Sequence, residues 1–548
     1  MRALAARAAE ATLRVLGVAG MGRYRGRQPS PVLWVPAAAV AVAMVLPLAY
    51  LFERALDGGG DTLRLLLRPR TAAILFRSAA LVAVVTVSSV LIAAPLAWLT
   101  VRTDLPLRRL WSVATVLPLV IPTYVGAFLV LAVLGPQGMI QGLLGQVAGV
   151  QRLPDIAGLP GAAFTISLFS FPYVLLSIRA ALWGQDPALE EMARVLGNGK
   201  WGTLWRVTLP QLRPAIAAGS LLVALYALSD FGAVSLLRYE TFTWAIFLQY
   251  ESAFDRALAA GLSLALAGAA LCLVIIEARA RGRARYYRST PGASRRVLVT
   301  PLGRWRWPAV AFTAGVVTCS LVAPLGVLAY WAVRGIVAGE PLRLLWGAAA
   351  NSFYASALAA LVAVVAAVPV VILTVRYPGR WSRLIERLSF TGYALPGIAV
   401  ALALIFFGAR YASPLYQTLA LLVLAYVVLF FPQAMGAIRA SYLQVNPQLG
   451  EAAQGLGRRP LGVLLHVSLP LIMPGIMSGA ALVFLTAMKE LPATLLLSPI
   501  GFTTLAGSIW AAAEEAFFAQ AAVPALLLVG ISAVPTALMI LSEPRGER

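Results

Sequence analysis

The chain has 548 residues, of which 60% are apolar and only 12% are charged. Soluble globular proteins have an apolar share of roughly 45–50%, so this composition excludes a water-soluble multidomain enzyme. The net charge is +22, from 44 Lys and Arg residues against 22 Asp and Glu residues. In so apolar a chain, positive charge is more typical of the cytoplasmic side of a membrane protein than of a nucleic-acid-binding surface.

Long uncharged runs divide the chain from end to end. A membrane-spanning helix needs about 20 apolar residues to cross roughly 30 Å of hydrocarbon. The alternation typical of membrane barrel strands is absent from the sequence, which therefore predicts an all-α polytopic membrane protein. The twelve predicted spans are 31–52, 78–101, 110–134, 161–178, 215–237, 257–276, 307–333, 352–375, 388–409, 414–435, 475–497 and 521–541.

The basic residues predict the orientation of these spans. With a cytoplasmic N-terminus, roughly three times as many basic residues fall on the inner side as on the outer side. We therefore predict a multi-pass protein of the cell (inner) membrane with both termini cytoplasmic. We predict no nucleic-acid partner, because the basic residues follow the topology. The arginines between Glu53 and Arg77 depart from the pattern, and we interpret them as long side chains that snorkel to the interface.

The residues needed for covalent or metal chemistry are scarce. Cys272 and Cys319 lie far apart in apolar runs, and His466 is the only histidine, so no disulfide framework, zinc site or histidine-based acid–base pair is expected. No Walker A pattern surrounds Lys200. We predict no catalytic residue, no metal site and no cofactor bound by this chain, which moves a solute instead of transforming it.

An internal repeat organises the sequence. Ser78 recurs 274 residues later as Ser352, and the window 186–216 aligns without gaps with 446–476, with 13 identities in 31 positions. The chain is thus two copies of a six-helix unit, and an even number of spans makes the repeats parallel. The predicted segments are a cytoplasmic basic segment (1–30), a first repeat (31–276), an Arg-rich cytoplasmic linker (277–306), a second repeat (307–541) and a cytoplasmic tail (542–548).

The aligned windows form a loop that occurs once in each repeat. Each starts with Asp186-Pro187 or Asn446-Pro447, a helix N-cap followed by proline at the first helical position. This predicts a short helix with a glutamate in its early turns, a glycine where the chain turns, and a second helix running to a Leu-Pro pair. The residues concerned are Glu191, Ala193, Gly197, Leu209 and Pro210 in the first repeat and Glu451, Ala452, Ala453, Gly457, Leu469 and Pro470 in the second.

These residues have the spacing of the EAA motif, and the chain resembles the fused permeases of type I ABC importers. The departures from the motif are conservative and fall at Met192, Val207 and Val467. The resemblance implies that each short helix docks on one of two copies of a cytoplasmic ABC ATPase subunit, and that an extracytoplasmic binding protein delivers the solute. It also implies that ATP and Mg are bound by the partner ATPase subunits. A pair of amphipathic interfacial helices without a partner is the other interpretation.

The run Lys489 to Thr494 resembles the fused permeases of ferric-iron importers. Asp230 lies 260 residues before Glu490, so both repeats place a carboxylate in the span after the loop. A carboxylate within a membrane is costly and by default faces a pore or a partner, and hard oxygen ligands suit a hard metal ion. We therefore expect Asp230 and Glu490 to line the path of ferric iron. Structural roles stay open, with Glu490 paired to Lys489 and Asp230 beside Arg238.

Other solutes and other mechanisms fit parts of this pattern. The resemblance extends to importer permeases for thiamine, polyamines or inorganic anions. A secondary transporter driven by an ion gradient also has twelve spans, but it needs no duplicated cytoplasmic docking loop. A membrane-embedded transferase is the enzyme alternative, and it should carry an acidic metal-binding pair in a loop or a soluble catalytic insertion. The sequence contains neither feature.

Overall fold

A computed structural model describes residues 31–57, 67–185, 187–251, 255–281, 299–339, 343–458 and 460–542, together with Gly59 and Arg64. Within these ranges the chain is helical, apart from turns and an isolated bridge between Thr103 and Thr300. This confirms the all-α polytopic fold. The predicted basic segment 1–30, most of the linker 277–306 and nearly all of the tail lie outside the described residues.

Most of the predicted spans are present as long helices. Among the described residues, eleven helices are long and apolar enough to cross a membrane, and the remaining predicted span, 388–409, corresponds to the shorter apolar helix Gly397–Tyr411. The α-helical segments are Pro31–Asp57, Pro69–Arg102, Arg108–Ala114, Thr123–Leu134, Met139–Ala148, Leu159–Gly184, Pro187–Val195, Lys200–Thr203, Leu209–Ser229, Gly232–Leu236, Phe242–Glu251, Arg256–Arg281, Arg306–Val317, Ala323–Val337, Arg343–Arg376, Arg380–Ser389, Gly397–Tyr411, Leu419–Tyr442, Pro447–Gly455, Pro460–Val463, Leu469–Met488, Pro492–Leu497, Leu505–Glu514 and Phe518–Ser542.

The predicted spans 110–134 and 388–409 are not single helices. Each begins as a short helix and passes through a 3₁₀ turn before an apolar helix starts. Pro122 and its repeat partner Pro396 lie directly before these apolar helices. Because proline disfavours a helical conformation in the residue before it, Ile121 is extended, with φ −81° and ψ 117°. The prolines therefore interrupt both apolar runs at equivalent places.

The predicted spans 215–237 and 475–497 also end earlier than expected. Their helices stop at Ser229 and Met488, and after a short break each is followed by a second helix of five or six residues. A hydropathy window averages over such a break, since the residues on both sides are apolar. The two breaks contain the carboxylates predicted to line the path, Asp230 and Glu490.

Three long helices contain a π-turn, at Leu204–Thr208, Thr318–Val322 and Leu464–Ser468. In each case the second residue after the turn is a proline. Proline has no N–H to donate to the preceding turn, and the wider turn accommodates it, with the Leu209 N–H bonded to the Leu204 carbonyl. The two Leu-Pro pairs of the repeated loops thus lie inside helices that continue into the next spans.

The described chain forms two compact units, and each contains parts of both sequence repeats. Most of the first span belongs with helices of the second repeat, and the first span of the second repeat belongs with the first repeat. The repeat limits 31–276 and 307–541 therefore describe the sequence and not the packing, and they stay a prediction. Unit one contains the described residues of 1–50, 353–393 and 406–488, and unit two those of 51–352, 394–405 and 489–548.

In unit one, the first span packs on helices of the second repeat. The Thr391 hydroxyl donates to the Met44 carbonyl oxygen at 3.2 Å. The Tyr50 ring lies 6.5 Å from the Phe406 ring and 5.9 Å, edge-on, from the Tyr411 ring, between centroids. Such aromatic pairs contribute beyond the area they bury, so they hold the first span within this unit.

In unit two, the helix that opens the second repeat packs among helices of both repeats. The Trp331 ring of that helix and the Phe128 ring of the first repeat each lie 5.3 Å from the Phe518 ring, between centroids. The small side chains of this unit allow close helix packing, as is common in membrane proteins. One buried cluster consists of Leu51, Ala260, Ala399 and Ala403.

Candidate functional site

The loop of the first repeat contains the short helix Pro187–Val195, which we call the first loop helix. It ends in a turn where Gly197 has φ +86°, a conformation that glycine adopts without strain. The Asn198 N–H donates to the Ala193 carbonyl oxygen at 3.0 Å and satisfies the helix end. The motif glycine and alanine thus have a local role in closing this helix. Asp186, the predicted N-cap, lies outside the described residues.

The second loop helix, Pro447–Gly455, has the same construction. The Asn446 side chain accepts a hydrogen bond from the Gln448 N–H at 3.0 Å, as predicted for an N-cap. Gly457 has φ +84°, and the Arg458 N–H donates to the Ala453 carbonyl oxygen at 3.1 Å. Both repeats therefore present a short, capped helix of nine residues.

The loop helices expose apolar side chains within their own units. On the first, Leu189 and Met192 are 43% and 61% exposed, and Leu196, which directly follows the helix, is 79% exposed. In the second repeat, Leu449 aligns with Leu189 and is 48% exposed, and Leu456 aligns with Leu196 and is 86% exposed. Exposed apolar faces of this kind are typical of surfaces that bind another protein. Of the motif residues nearby, Ala193 is buried, Ala453 and Glu451 are half-buried, and Glu191 and Ala452 are exposed.

A buried ion pair anchors the first loop helix, and the sequence did not predict it. Arg102, the last residue of the second span, lies 3.4 Å from Glu190, with side chains only 1% and 6% exposed. The Thr208 hydroxyl donates to the same glutamate oxygen at 3.0 Å, and Arg102 also donates to the Gln185 side chain at 2.8 Å. The buried acid is thus the residue before the motif glutamate. Repetition could not reveal it, because the second repeat lacks it.

At the position of the buried glutamate the second repeat has Gly450. The second repeat has an ion pair between Arg439 and Glu386 instead. Arg439 aligns with Arg179 of the first repeat, and Glu386 aligns with Ser112. There the Arg179 guanidinium donates to the Ser112 carbonyl oxygen at 2.8 Å. The two repeats therefore have different charged contacts near their loop helices, although their backbones follow the same plan.

A second group of polar residues surrounds Asp230 at the helix break. Asp230 is buried and extended, and one of its carboxylate oxygens accepts a hydrogen bond from the Thr123 hydroxyl. The other oxygen accepts from the N–H groups of Ala233 and Val234 at 2.9 and 3.4 Å, so it caps the following short helix. Within the described chain no ion pair joins Asp230 to Arg238.

Glu490 occupies the equivalent break of the second repeat. Its carboxylate accepts from the Ala493 N–H at 3.3 Å, again at the start of a short helix. The neighbouring Lys489 ammonium donates to the Leu119 carbonyl oxygen at 3.0 Å. Among the ion pairs of the described residues none joins this lysine to Glu490, so the adjacent charges do not neutralise each other by direct contact.

The structure brings the two breaks together within unit two. A Cβ atom placed on Gly232 would lie 3.1 Å from the Leu491 side chain, so the chain just after one carboxylate touches the chain just after the other. The Tyr226 hydroxyl lies 3.3 Å from the Thr123 hydroxyl and interacts electrostatically with both carboxylates. Two carboxylates and two hydroxyls thus share one region of a largely apolar protein.

This arrangement offers oxygen atoms but no cage for a resident metal ion. In the described part of the chain, no group of three His, Cys, Asp or Glu side chains is placed to hold a metal. Broken helices at membrane depth are tolerated where they line a cavity or are buried in protein.

A parallel duplication, apolar helices and two matching loop helices together define a polytopic transport protein. Residues 89–281 and 359–548 match the family described as the binding-protein-dependent transport system inner membrane component. The chain belongs to this family. It is a permease of an ABC importer, a multi-pass protein of the inner membrane that works with a binding protein and an ATPase.

Individual relatives transport different solutes. The chain is 34% identical over 505 residues to the Fe(3+)-transport system permease protein FbpB 2 of Haemophilus influenzae, a match that covers 91% of this chain and 96% of that protein. It is 36% identical over 143 residues to the molybdenum transport system permease protein ModB of Escherichia coli, covering 25% of this chain and 58% of that protein. A sulfate transport system permease protein, CysW of Synechocystis, is 30% identical over 176 residues, which are 31% of this chain and 62% of that protein.

Proposed function

We propose that this chain is the complete transmembrane pore of an ATP-driven importer of ferric iron. Two copies of an ATPase subunit bind ATP and Mg and dock on the two loop helices, and the chain itself hydrolyses nothing. Both termini lie in the cytoplasm. The observation that carries the proposal is the pair of equivalent loop helices, each with an exposed apolar face, in a chain whose relatives are permeases.

Transport follows from the linkage between the loop helices and the helix breaks at Asp230 and Glu490. When the ATPase subunits close on ATP they draw the loop helices together, and the spans continuous with those loops move with them. The route between the helix breaks then opens alternately to each side of the membrane. ATP and the loaded binding protein shift this equilibrium only by their differential affinity for its two states.

The choice of ferric iron has two supports. The Fe(3+) permease relative matches this chain over nearly its whole length, whereas the molybdenum and sulfate relatives match shorter segments. Asp230 and Glu490 also place negatively charged oxygen ligands at equivalent breaks, and these suit a hard cation and repel a sulfate or molybdate ion.

Uptake of radioactive ferric iron by cells that carry or lack the chain tests this proposal. We expect uptake to require the chain and ATP, and to withstand excess thiamine, putrescine, molybdate and sulfate. Depletion of ATP with the ion gradient maintained should stop it. Uptake that persists without ATP would instead indicate a secondary transporter, and inhibition by one competitor would identify another solute.

The double variant Asp230→Asn with Glu490→Gln tests the path itself. We expect iron uptake to fall by at least about tenfold, equivalent to roughly 1.4 kcal/mol, with the protein still inserted. The matched control is Glu53→Gln with Asp57→Asn, which removes the same two charges outside the break region and should leave uptake near normal. Unchanged uptake in the first variant would leave Asp230 and Glu490 as helix caps only.

A further inference from the structure

Unit two contains an open pocket far from the loop helix, which we call the arginine pocket. It lies at the N-terminal end of the helix Pro69–Arg102, whose other end carries the buried anchor of the first loop helix. Since that helix has 34 residues, the two ends are roughly 50 Å apart. The pocket has a volume of about 610 Å³, and its lining includes Arg70, Arg77, Arg238, Tyr239 and Glu240.

The charges of the arginine pocket do not balance. One oxygen of Glu240 pairs with Arg70 at 3.0 Å and the other pairs with Arg77 at 2.7 Å. Each guanidinium has five N–H groups, so donors remain after these contacts. Arg238 is exposed and forms no ion pair with any described residue. Three arginines against one glutamate leave an excess of two positive charges beside an open cavity.

Arg238 also adopts a conformation that disfavours arginine. Its φ is +53°, in the left-handed region, which costs energy for any residue with a Cβ atom. The second repeat has three more residues between its carboxylate and the next helix, so Leu505 matches Phe242 and Gly501 matches Arg238. Gly501 has φ +81°. Strain of this kind, kept where glycine would relieve it, points to a role for the side chain.

The second repeat shows that this turn folds without the charges. Asn351 occupies the place of Arg77 and donates to the carbonyl oxygen of Thr503, which occupies the place of Glu240, at 2.9 Å. In both repeats a serine at the start of the second span also accepts the same backbone N–H, from Phe242 or Leu505. The arginines are therefore an addition to a common scaffold.

The backbone adds to the positive field of the arginine pocket. The helices Pro69–Arg102, Leu159–Gly184 and Phe242–Glu251 all begin at its wall, and none has an acidic residue in its first turn. Helix N-termini carry partial positive charge. The Tyr239 hydroxyl donates to the Arg77 carbonyl oxygen at 3.1 Å, and burial raises the pKa of this hydroxyl while Arg77 opposes that shift.

We propose that the arginine pocket binds a phosphate group, which several arginine N–H donors contact together. Guanidinium groups match the geometry of phosphate oxygens, and the cavity is of the size of small-ligand sites. The phosphate group is supplied either free in solution or by the headgroup of an anionic lipid. Glu240 is the internal competitor of this ligand, since it holds two of the same guanidinium groups.

Three single variants, each taking the residue of the second repeat, test the site in the full chain. Isothermal titration of the detergent-solubilised protein with inorganic phosphate measures the free source. Native mass spectrometry of protein released from nanodiscs with phosphatidylcholine alone or mixed with phosphatidylglycerol measures the lipid source. Arg109→Gln, an exposed charge on another helix, is the control with the same loss of charge as the arginine variants.

We expect Arg238→Gly and Arg77→Asn to weaken phosphate or phosphatidylglycerol binding by at least about tenfold, as for the loss of a charge-assisted contact. We expect Glu240→Thr to tighten it. Arg238→Gly should also raise the melting temperature, because it relieves the strained turn, so weaker binding cannot be misfolding. Saturable binding of only one probe identifies the source. Binding unaffected by all three variants, or weakened by Glu240→Thr as by Arg77→Asn, would overturn the proposal.

Discussion

At the residue scale, the two loop helices differ in one buried side chain, that of Glu190. Glu190 holds the first loop helix on Arg102 and Thr208, and the aligned Gly450 offers no such contact. Breaking a buried ion pair leaves an unpaired charge away from water, which is far more costly than losing an exposed one. The two loop helices therefore have the same length, but only the first is held by a buried ion pair among the described residues.

We predict that Glu190→Gln destabilises the packing of the first loop helix by about 3 kcal/mol, the usual scale for removing one partner of a buried pair. Hydrogen exchange of the amides in 187–198 should then accelerate, while exchange in 447–458 should not change. Glu191→Gln, at an exposed neighbouring position, is the control and should have a much smaller effect. Equal acceleration in both variants would mean that the Arg102 contact contributes little.

At the element scale, the loop helices are small amphipathic elements that leave one face exposed, while the other face is buried at Glu190 and Ala193 in the first and half-buried in the second. Leu196 and Leu456 are among the most exposed apolar residues of the described chain, and each directly follows its loop helix and precedes Gly197 or Gly457. Their exposure means that they contribute little to folding of the isolated chain. A partner that covers them would gain most of their burial energy.

We predict that Leu196→Asp with Leu456→Asp weakens binding of the ATPase subunit by at least tenfold, since buried anchors of an interface are commonly worth about 2 kcal/mol each. Co-purification with the ATPase, followed by titration, measures the effect. Leu143→Asp with Val147→Asp alters two comparably exposed residues of another helix and should leave binding intact. An unchanged affinity in the first variant would contradict the docking role.

The sequence predicted the elements better than their interruptions. Hydropathy located the spans, and the repeat located both loop helices, because each signal extends over many residues. The break at Asp230 was missed because one carboxylate hardly changes the mean hydropathy of a run. The ion pair of Arg102 with Glu190 was missed because it joins residues 88 positions apart in only one repeat. Contacts of that kind can be recognised only when the fold is known.

At the scale of the whole molecule, the two repeats exchange their first spans, so the stability of each compact unit depends on residues from both repeats. Unit one needs 31–50 from the first repeat, and unit two needs the described residues of 307–352, 394–405 and 489–542 from the second. Neither sequence repeat therefore contains a complete unit.

We predict that the segments 1–290 and 291–548, expressed separately, are each unstable, and that they form a stable complex when expressed together. A segment alone loses several kcal/mol of packing, and each kcal/mol corresponds to roughly 2–4 °C, so its melting temperature should fall by roughly 10 °C or more. Protease resistance and co-purification through a tag on one segment measure this. A separate second segment as stable as the whole chain would contradict the exchange.

The same exchange has a consequence in time. The ribosome completes residue 50 about 300 residues before it has made 353–393, and at roughly 5–20 residues per second that interval lasts roughly 15–60 seconds. During this interval the first helix stands in the membrane with its intended neighbours not yet synthesised. An insertion factor or lipid must cover the face that carries Met44 and Tyr50 until they arrive. Any slowing of translation between the two repeats would prolong this stage, when the nascent chain is most exposed to mispairing and proteolysis.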